Sequence, residues 1–188
     1  MGTKGEQCRQ RIIAAADTLF YEQGFNHTSF SDIADAAGIA RGNFYYHFKT
    51  KDEILQGVIE KRLEDFRAML AYWDETISDP RKRLRRYIQI LTRQQQDIEH
   101  YGCPIGTLCN ELAKLQHAQL NDANQMFEIF RQWLEAQFRQ LGRGRQARHL
   151  ALHLLAWAQG VATITNAYSD PAFLRREAKQ ITAWLDGL

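Results

Sequence analysis

One short run of polar and aromatic side chains near the N-terminus has the clearest potential for chemistry. Arg41 and Asn43 carry N–H groups that can pair with the edges of guanine and adenine in a DNA groove. Tyr45 and Tyr46 add hydroxyl groups that suit phosphate oxygens, and His47 lies near the edge of the same helical face. Because a solvated helix usually carries Glu, Lys and Gln, this face is typical of a surface that contacts a duplex.

The net charge of this region gives no support of its own to nucleic-acid binding. Residues 1–55 contain six basic and seven acidic side chains, whereas DNA-binding modules are usually basic. Asp32 and Asp35 lie before the polar and aromatic run, so the basic groups can still share one side. On the residues alone, an ordinary three-helix core remains the alternative interpretation.

Two short helices joined by a tight turn are predicted to position this run. Ser29 can cap a helix over 30–37, with Asp32 as the second member of a capping box. Gly38 ends that helix, and a further helix is predicted over 40–48. Together the two elements form a helix-turn-helix. The side chains of the second helix that recur every four residues should face the core: Ala40, Phe44 and Phe48.

The rest of the chain is also predicted to be helical. Each of the three prolines follows a plausible helix cap, and no Asn-Gly or Asp-Gly turn separates alternating apolar runs. The pattern predicts an all-α fold of about nine helices, with a three-helix helix-turn-helix domain over 1–50 and a helical bundle over 51–188. The predicted helices cover about 6–23, 30–37, 40–48, 51–76, 80–99, 104–117, 119–141, 145–168 and 171–186.

Composition limits the class of protein further. The 188 residues are 45% hydrophobic and 24% charged with a net charge of +2, as in an ordinary globular protein. The longest apolar stretch, 150–164, is interrupted by His153, Gln159 and Gly160, so we expect no membrane span. Three cysteines are too few for a disulfide framework. We expect a cytoplasmic protein with reduced thiols.

An ordered set of residues in the first 55 positions forms a specific pattern. It contains, without gaps, Gly24, Phe25, Thr28, Ser29, Ile33, Ala34, Ala37, Gly38, Ile39, Gly42, Phe44, Tyr45, His47, Phe48 and Lys51. This pattern resembles the N-terminal domain of TetR-family regulators. The resemblance implies a bacterial transcription regulator, usually a repressor, that binds a palindromic DNA operator as a homodimer. A small-molecule effector bound in the bundle would release the DNA.

The resemblance also implies roles for individual residues. Ser29, at a helix N-terminus, would bind a phosphate. The major groove would be contacted by Arg41, Gly42 and Asn43, and the phosphate backbone by Tyr45, Tyr46, His47 and Lys51. Two positions depart from the pattern: Ala40 lacks the capping hydroxyl common there, and Phe30 stands where some members make polar contacts. On the residues alone, packing of Tyr45 on the fourth helix and a core or capping role for His47 remain open.

The second half of the chain is rich in large aromatic side chains at helical spacing. Most of them belong to a core, but a cleft between helices would be lined by some and would suit a small apolar or aromatic ligand. The predicted lining residues are Phe66, Leu70, Trp73, Leu91, Cys103, Leu108, Met126, Phe130 and Trp157.

Cys103 lies in a Gly-Cys-Pro sequence that resembles a motif in one subset of TetR-type ligand domains. At a helix N-terminus its sulfur could sense electrophiles or oxidants, so a thiol-sensing regulator is one alternative. A small buried residue at a tight corner is the simpler interpretation. With His100, Cys103 lacks the further ligands that a metal site needs, and we expect no metal or cofactor. A small helical enzyme is the alternative from another class, but no paired nucleophile and base supports it.

The last two predicted helices carry an apolar stripe suited to a dimer interface. Small residues four apart on the first of them would permit a close approach of helices. Packing of the same stripe within one chain remains the alternative. The predicted interface residues are Leu150, Leu154, Trp157, Gly160, Val161, Ile164, Ile181, Trp184 and Leu185.

Overall fold

The computed structural model describes residues 4–188, except the side chain of Arg41, and these residues form helices joined by turns. The predicted all-α fold is confirmed. One predicted helix, over 80–99, is divided at Gln94, whose φ of −97° and ψ of 20° depart from helical values. The ten helices are α1 (Lys4–Glu22), α2 (Phe30–Ala37), α3 (Arg41–His47), α4 (Lys51–Thr76), α5 (Pro80–Arg93), α6 (Gln95–Tyr101), α7 (Pro104–Lys114), α8 (Leu120–Gln140), α9 (Ala147–Tyr168) and α10 (Pro171–Asp186).

The helices divide into two compact units, and α4, α7 and α8 contribute residues to both. The first unit contains residues 4–64 and 107–124. Its core is formed by apolar faces of α1 to α4, with Phe44, Phe48 and Ile54 fully buried. An ion pair between the buried Arg62 and the half-buried Asp17 joins α4 to α1, with 2.6 Å between Arg62 Nε and Asp17 Oδ1. The predicted division of the chain at residue 50 stays a prediction.

The second unit contains residues 65–106 and 125–188. A buried arginine of α5 ties several segments of this unit together. Arg83 donates through Nε to the carbonyl oxygen of Ile77 at 2.6 Å and through Nη2 to that of Asp74 at 2.8 Å. Its Nη1 atom donates to Oε1 of Gln137 at 3.1 Å. Arg83 therefore satisfies backbone groups at the end of α4 and a side chain of α8 at once.

The sequence predicted no membrane span and no disulfide framework. Among residues 4–188, no helix is both long enough and apolar enough to cross a membrane. Cys8, Cys103 and Cys109 form no disulfide.

Candidate nucleic-acid interface

Helix α2 begins with the predicted capping box. The Ser29 hydroxyl accepts from the N–H of Asp32 at 3.2 Å, and the Asp32 carboxylate accepts from the N–H of Ser29 at 2.7 Å. Hydrogen bonds from the Ser29 side chain and then from its backbone lower the pKa of Asp32. Ile33, Ala34 and Ala37 form the buried face of the helix. The exposed side chain of Ser29 therefore lies at a helix N-terminus, where an anion is favoured.

The turn between α2 and α3 depends on a glycine and an arginine. Gly38 has a φ of 63°, in the left-handed region that side chains with a Cβ atom adopt at a cost. The Arg11 guanidinium of α1 donates to the carbonyl oxygens of Ala37 and Gly38. These contacts satisfy carbonyl groups at the end of α2 and fix the direction in which α3 leaves the turn.

Helix α3 presents its polar residues outward and its phenylalanines inward. Phe44 and Phe48 are buried as predicted. The predicted burial of Ala40 is wrong: Ala40 is the residue before the first helical turn and is exposed. As expected, its side chain makes no capping hydrogen bond. The outward face contains Gly42, Asn43, Tyr45 and Tyr46, with His47 half-buried at its edge. The side chain of Arg41 lies outside the described part of the chain.

Tyr45 packs on α2. Its ring stacks on that of Phe30, with centroids 5.8 Å apart and planes 15° apart, and half of its surface stays exposed. Phe30 in turn meets the buried Phe44 edge to face at 5.3 Å. Phe30, which departs from the family pattern, thus supports a tyrosine that remains available at the surface.

The ammonium group of Lys51 is bound by backbone carbonyl groups of its own chain. Its Nζ atom donates to the carbonyl oxygens of Phe25 at 2.8 Å and Thr28 at 3.1 Å, and lies 4.3 Å from the centre of the Phe25 ring. The ammonium group is therefore held by the turn that precedes α2. The phosphate contact predicted for Lys51 stays a prediction.

Glu111 binds the backbone N–H groups of the same turn. Its two carboxylate oxygens accept from the N–H of Phe25 and of Asn26, each at 2.8 Å. No local sequence motif marks this contact, because the partners are more than 80 positions apart. Glu111 positions the start of α2 without reaching the outward face of α3.

A groove of about 620 Å³ separates the N-terminal end of α1 from α3. Lys4, Gln7 and Arg11 line one side, and Asn43 and His47 line the other. None of the described residues that line this groove is acidic. The α1 residues were missed by the sequence analysis, although their spacing of three and four positions places them on one helical face. The groove extends the candidate interface beyond α3 with two further cationic side chains.

Known proteins resemble both the helix-turn-helix segment and the chain as a whole. Residues 12–58 match a family model described as bacterial regulatory proteins, tetR family. The HTH-type transcriptional regulator LmrA of Bacillus subtilis strain 168 is 30% identical over 141 residues, which are 71% of this chain and 72% of LmrA. The chain belongs to the TetR family.

Other known proteins agree with this assignment. The HTH-type transcriptional repressor DhaR of Mycobacterium sp. strain GP1 is 27% identical over 128 residues, or 68% of this chain. The chain spans 62% of the length of DhaR. The crystal structure of a TetR-family transcriptional regulator from Agrobacterium tumefaciens superposes with a TM-score of 0.83 and 22% identity, covering 96% of this chain and 98% of that one. At this identity the likeness shows the TetR fold.

The second unit contains a small cavity where a TetR-family ligand domain was predicted. Its volume is about 100 Å³, and its walls are mostly apolar. Four of the predicted lining residues belong to these walls: Phe66, Leu91, Cys103 and Phe130. Leu70, Trp73, Met126 and Trp157 are not part of the walls, and Leu108 belongs to the first unit. No group of three His, Cys, Asp or Glu side chains within residues 4–188 could hold a metal ion.

The predicted dimer residues of α9 and α10 separate into three groups by their exposure. Leu150, Leu154, Val161, Ile181 and Leu185 are buried within the chain itself, and Trp157 and Trp184 are half-buried. Gly160 and Ile164 are exposed. They belong to an exposed stripe of every fourth residue along α9, here called the α9 stripe: Leu152, Ala156, Gly160, Ile164 and Tyr168.

Proposed function

We propose that this protein is a ligand-responsive transcriptional repressor of the cytoplasm. A homodimer binds a palindromic DNA operator, and a small apolar or aromatic effector releases it. The observation that carries the proposal is the outward face of α3, where Asn43, Tyr45 and Tyr46 are exposed while Phe44 and Phe48 are buried. A helix that buries its apolar residues in the core and exposes aromatic hydrogen-bond donors is suited to a DNA groove.

The contacts proposed for this face divide into positioning and sequence recognition. Tyr45, Tyr46 and His47 donate to phosphate oxygens, joined by Ser29 at the N-terminus of α2. Arg41 and Asn43 contact base edges in the major groove, and Gly42 lets the helix approach closely. The cations Lys4 and Arg11 lie along the groove that borders Asn43, which favours a polyanion despite the balanced overall charge.

Tyr46 offers the sharpest test of the DNA-contact surface, because it is 78% exposed. Loss of a hydroxyl contact to phosphate from each subunit should weaken binding about tenfold or more on every DNA sequence. We therefore expect Tyr46→Ala to lower affinity both for a DNA fragment selected by the wild-type protein from a random library and for an unrelated fragment. Tyr72→Ala, at a tyrosine of α4 that is 61% exposed, serves as the matched control. Equal affinities of the two variants would contradict the proposed surface.

Sequence recognition is tested by a second variant of the same helix. Asn43→Ala removes an amide that can pair with adenine, so it should reduce the preference for the selected fragment over the unrelated one. Non-specific affinity should change less. A full random-library selection with this variant measures the preference at each position. A selected motif identical to that of the wild type would remove Asn43 from base recognition.

The release of DNA by an effector has a thermodynamic signature. If a molecule in the cavity lowers operator affinity by some factor, operator DNA must lower the affinity for that molecule by the same factor. Both affinities are measurable by titration calorimetry with purified protein. A molecule that binds the cavity and leaves operator affinity unchanged would contradict this part of the proposal.

A second candidate function, thiol sensing, is favoured by the place of Cys103 in the cavity wall. Its sulfur accepts from the N–H of Gly106 at 3.4 Å and from Nε2 of Gln159 at 3.3 Å. An electrophile such as N-ethylmaleimide would add its alkene carbon to the sulfur, while the thiol proton moves to the neighbouring carbon. Such an adduct would occupy the cavity permanently and act as a covalent effector.

The test of thiol sensing must exclude Cys8, because its sulfur lies 3.8 Å from Nδ2 of Asn43 and its alkylation could block DNA directly. In a Cys8→Ser background, N-ethylmaleimide should reduce operator affinity. Adding Cys103→Ser should abolish the response, whereas adding Cys109→Ser should preserve it. A response that survives Cys103→Ser would assign this cysteine to structure.

A further inference from the structure

The cavity of the second unit is lined by parts of six helices, α4 to α9, and contains no charged side chain. Apolar residues such as Phe66, Ile98 and Phe130 make most of its walls. Burial of a charge without a partner is expensive, so the walls select against ionised molecules. The interruption between α5 and α6 also lies here, because Gln94 lines the cavity.

Tyr87 is the polar group of this cavity that most needs a partner. Its side chain is only 4% exposed, and among the described residues its hydroxyl has no hydrogen-bond partner. Burial, and secondarily the neighbouring Cys103, raises the pKa of the Tyr87 hydroxyl above its ordinary value, so the group keeps its proton. Because Tyr87 lines the cavity, an acceptor bound there can take a hydrogen bond from its hydroxyl.

Two other polar groups of the wall, Gln159 and Cys103, are engaged with each other. Gln159 donates through Nε2 to the sulfur of Cys103 at 3.3 Å. Its Oε1 atom lies so close to Gly106 that a Cβ atom there would be 2.3 Å away. The glycine therefore makes room for the amide and fixes it against the wall. Of the remaining polar side chains of the wall, Tyr87 is the buried one, whereas Gln94 is exposed.

We propose that this cavity binds a small neutral molecule, about one ring in size, with a hydrogen-bond acceptor such as a carbonyl oxygen placed at the Tyr87 hydroxyl. The inference rests on the proposed function, because it names the chemical class of the effector. A volume of about 100 Å³ is smaller than pockets for drug-sized ligands and closer to cavities that bind a single benzene ring.

The test compares two molecules of the same shape, acetophenone and α-methylstyrene, which differ by a carbonyl oxygen in place of a CH₂ group. Titration calorimetry on the purified full chain without DNA should give about tenfold higher affinity for acetophenone. Tyr87→Phe should remove this preference while the affinity for α-methylstyrene stays within about twofold. Tyr72→Phe, at the exposed tyrosine of α4, should keep the preference, and benzoate should bind to none of these proteins.

A spectroscopic measurement reports the hydrogen bond separately from the affinity. The ¹³C resonance of carbonyl-labelled acetophenone should move downfield on binding to the wild type and to Tyr72→Phe, and by much less on binding to Tyr87→Phe. Binding of α-methylstyrene to Tyr87→Phe shows that this variant is folded. Equal wild-type affinities for the two molecules, a preference that persists in Tyr87→Phe, or binding of neither molecule would overturn the inference. Acetophenone binding with the expected preference but without release of operator DNA would contradict the effector role alone.

Discussion

At the scale of single residues, two side chains of opposite charge hold the turn before α2 through different backbone groups. Lys51 donates to the carbonyl oxygens of Phe25 and Thr28, whereas Glu111 accepts from the N–H groups of Phe25 and Asn26. Each charge-assisted hydrogen bond contributes on the order of 1.5–3 kcal/mol when it is not exposed to water. Because Ser29 follows this turn directly, the two side chains set where α2 begins.

Glu111→Ala is expected to destabilise the protein. The substitution leaves two N–H groups of the turn without their acceptor, and partial exposure to water limits the cost to about 2 kcal/mol of unfolding free energy. Glu111→Gln keeps one carbonyl oxygen and should lose about half as much. Urea denaturation followed by circular dichroism measures both. Asn110→Ala, at the exposed neighbouring position of α7, is the control and should change stability by less than about 0.5 kcal/mol. A Glu111→Ala variant as stable as this control would contradict the role.

At the scale of helices, capping residues in the sequence predicted where helices begin and end, but they did not predict where a helix is interrupted. Ser29 and Gly38 mark the two ends of α2 by their own chemistry, and the structure has both. The four-residue spacing also placed Ala40 in the core, although a residue before the first turn does not follow the helical period. The break at Gln94 carries no glycine or proline, so no local signal in the sequence marks it.

The use of local sequence signals also explains why only some of the residues that line the cavity were predicted. Phe66 and Phe130 line it while Trp73 and Met126 do not, although all four occupy apolar faces of helices. Helical periodicity tells which face of a helix is buried, but not whether a buried side chain meets another side chain or an empty volume. Tyr87 was not identified, because an unsatisfied hydroxyl is a property of the packed structure.

Helix α2 allows its cap to be separated from its proposed phosphate contact. Ser29→Ala should cost about 1 kcal/mol of unfolding free energy, because the cap of the Asp32 N–H is lost, whereas Ser29→Gly should cost only a few tenths. If Ser29 also binds phosphate, both variants should weaken DNA binding by similar factors. Urea denaturation and DNA titration at pH 7 measure the two effects. A Ser29→Gly variant with wild-type DNA affinity would leave Ser29 as a cap alone.

The capping box also predicts a pH dependence. The pKa of Asp32 is lowered in the folded protein, so its contribution to stability is present above the unfolded value and is lost as the pH falls through the folded one. The stability difference between the wild type and Asp32→Asn should therefore be largest at neutral pH and shrink below about pH 4. Denaturation over this pH range measures it. Asp35→Asn, at the exposed acidic residue of the same helix, is the control. A difference that is constant with pH would contradict the assigned cause.

At the scale of the whole molecule, the proposed binding of a palindromic operator involves a second copy of the chain, and the α9 stripe is the surface we propose for it. The stripe combines small residues, Ala156 and Gly160, with the exposed apolar side chains of Leu152 and Ile164. Large exposed apolar side chains aligned on one helix are uncommon on a surface that faces only water. Small residues between them let two helices approach closely. Leu150, Leu154 and Val161, by contrast, are buried within their own chain.

Ile164→Lys is therefore expected to dissociate the dimer. Ile164 is 40% exposed, so a lysine there should be tolerated by the folded chain while it places two cations at a symmetric apolar interface. Light scattering after gel filtration should show a monomer at concentrations where the wild type is a dimer, and affinity for a palindromic fragment should fall more than affinity for a single half-site. Leu115→Lys, at a leucine 42% exposed in the first unit, makes the same chemical change away from the stripe and should remain dimeric. If Ile164→Lys stayed dimeric as well, the partner would bind elsewhere on the chain.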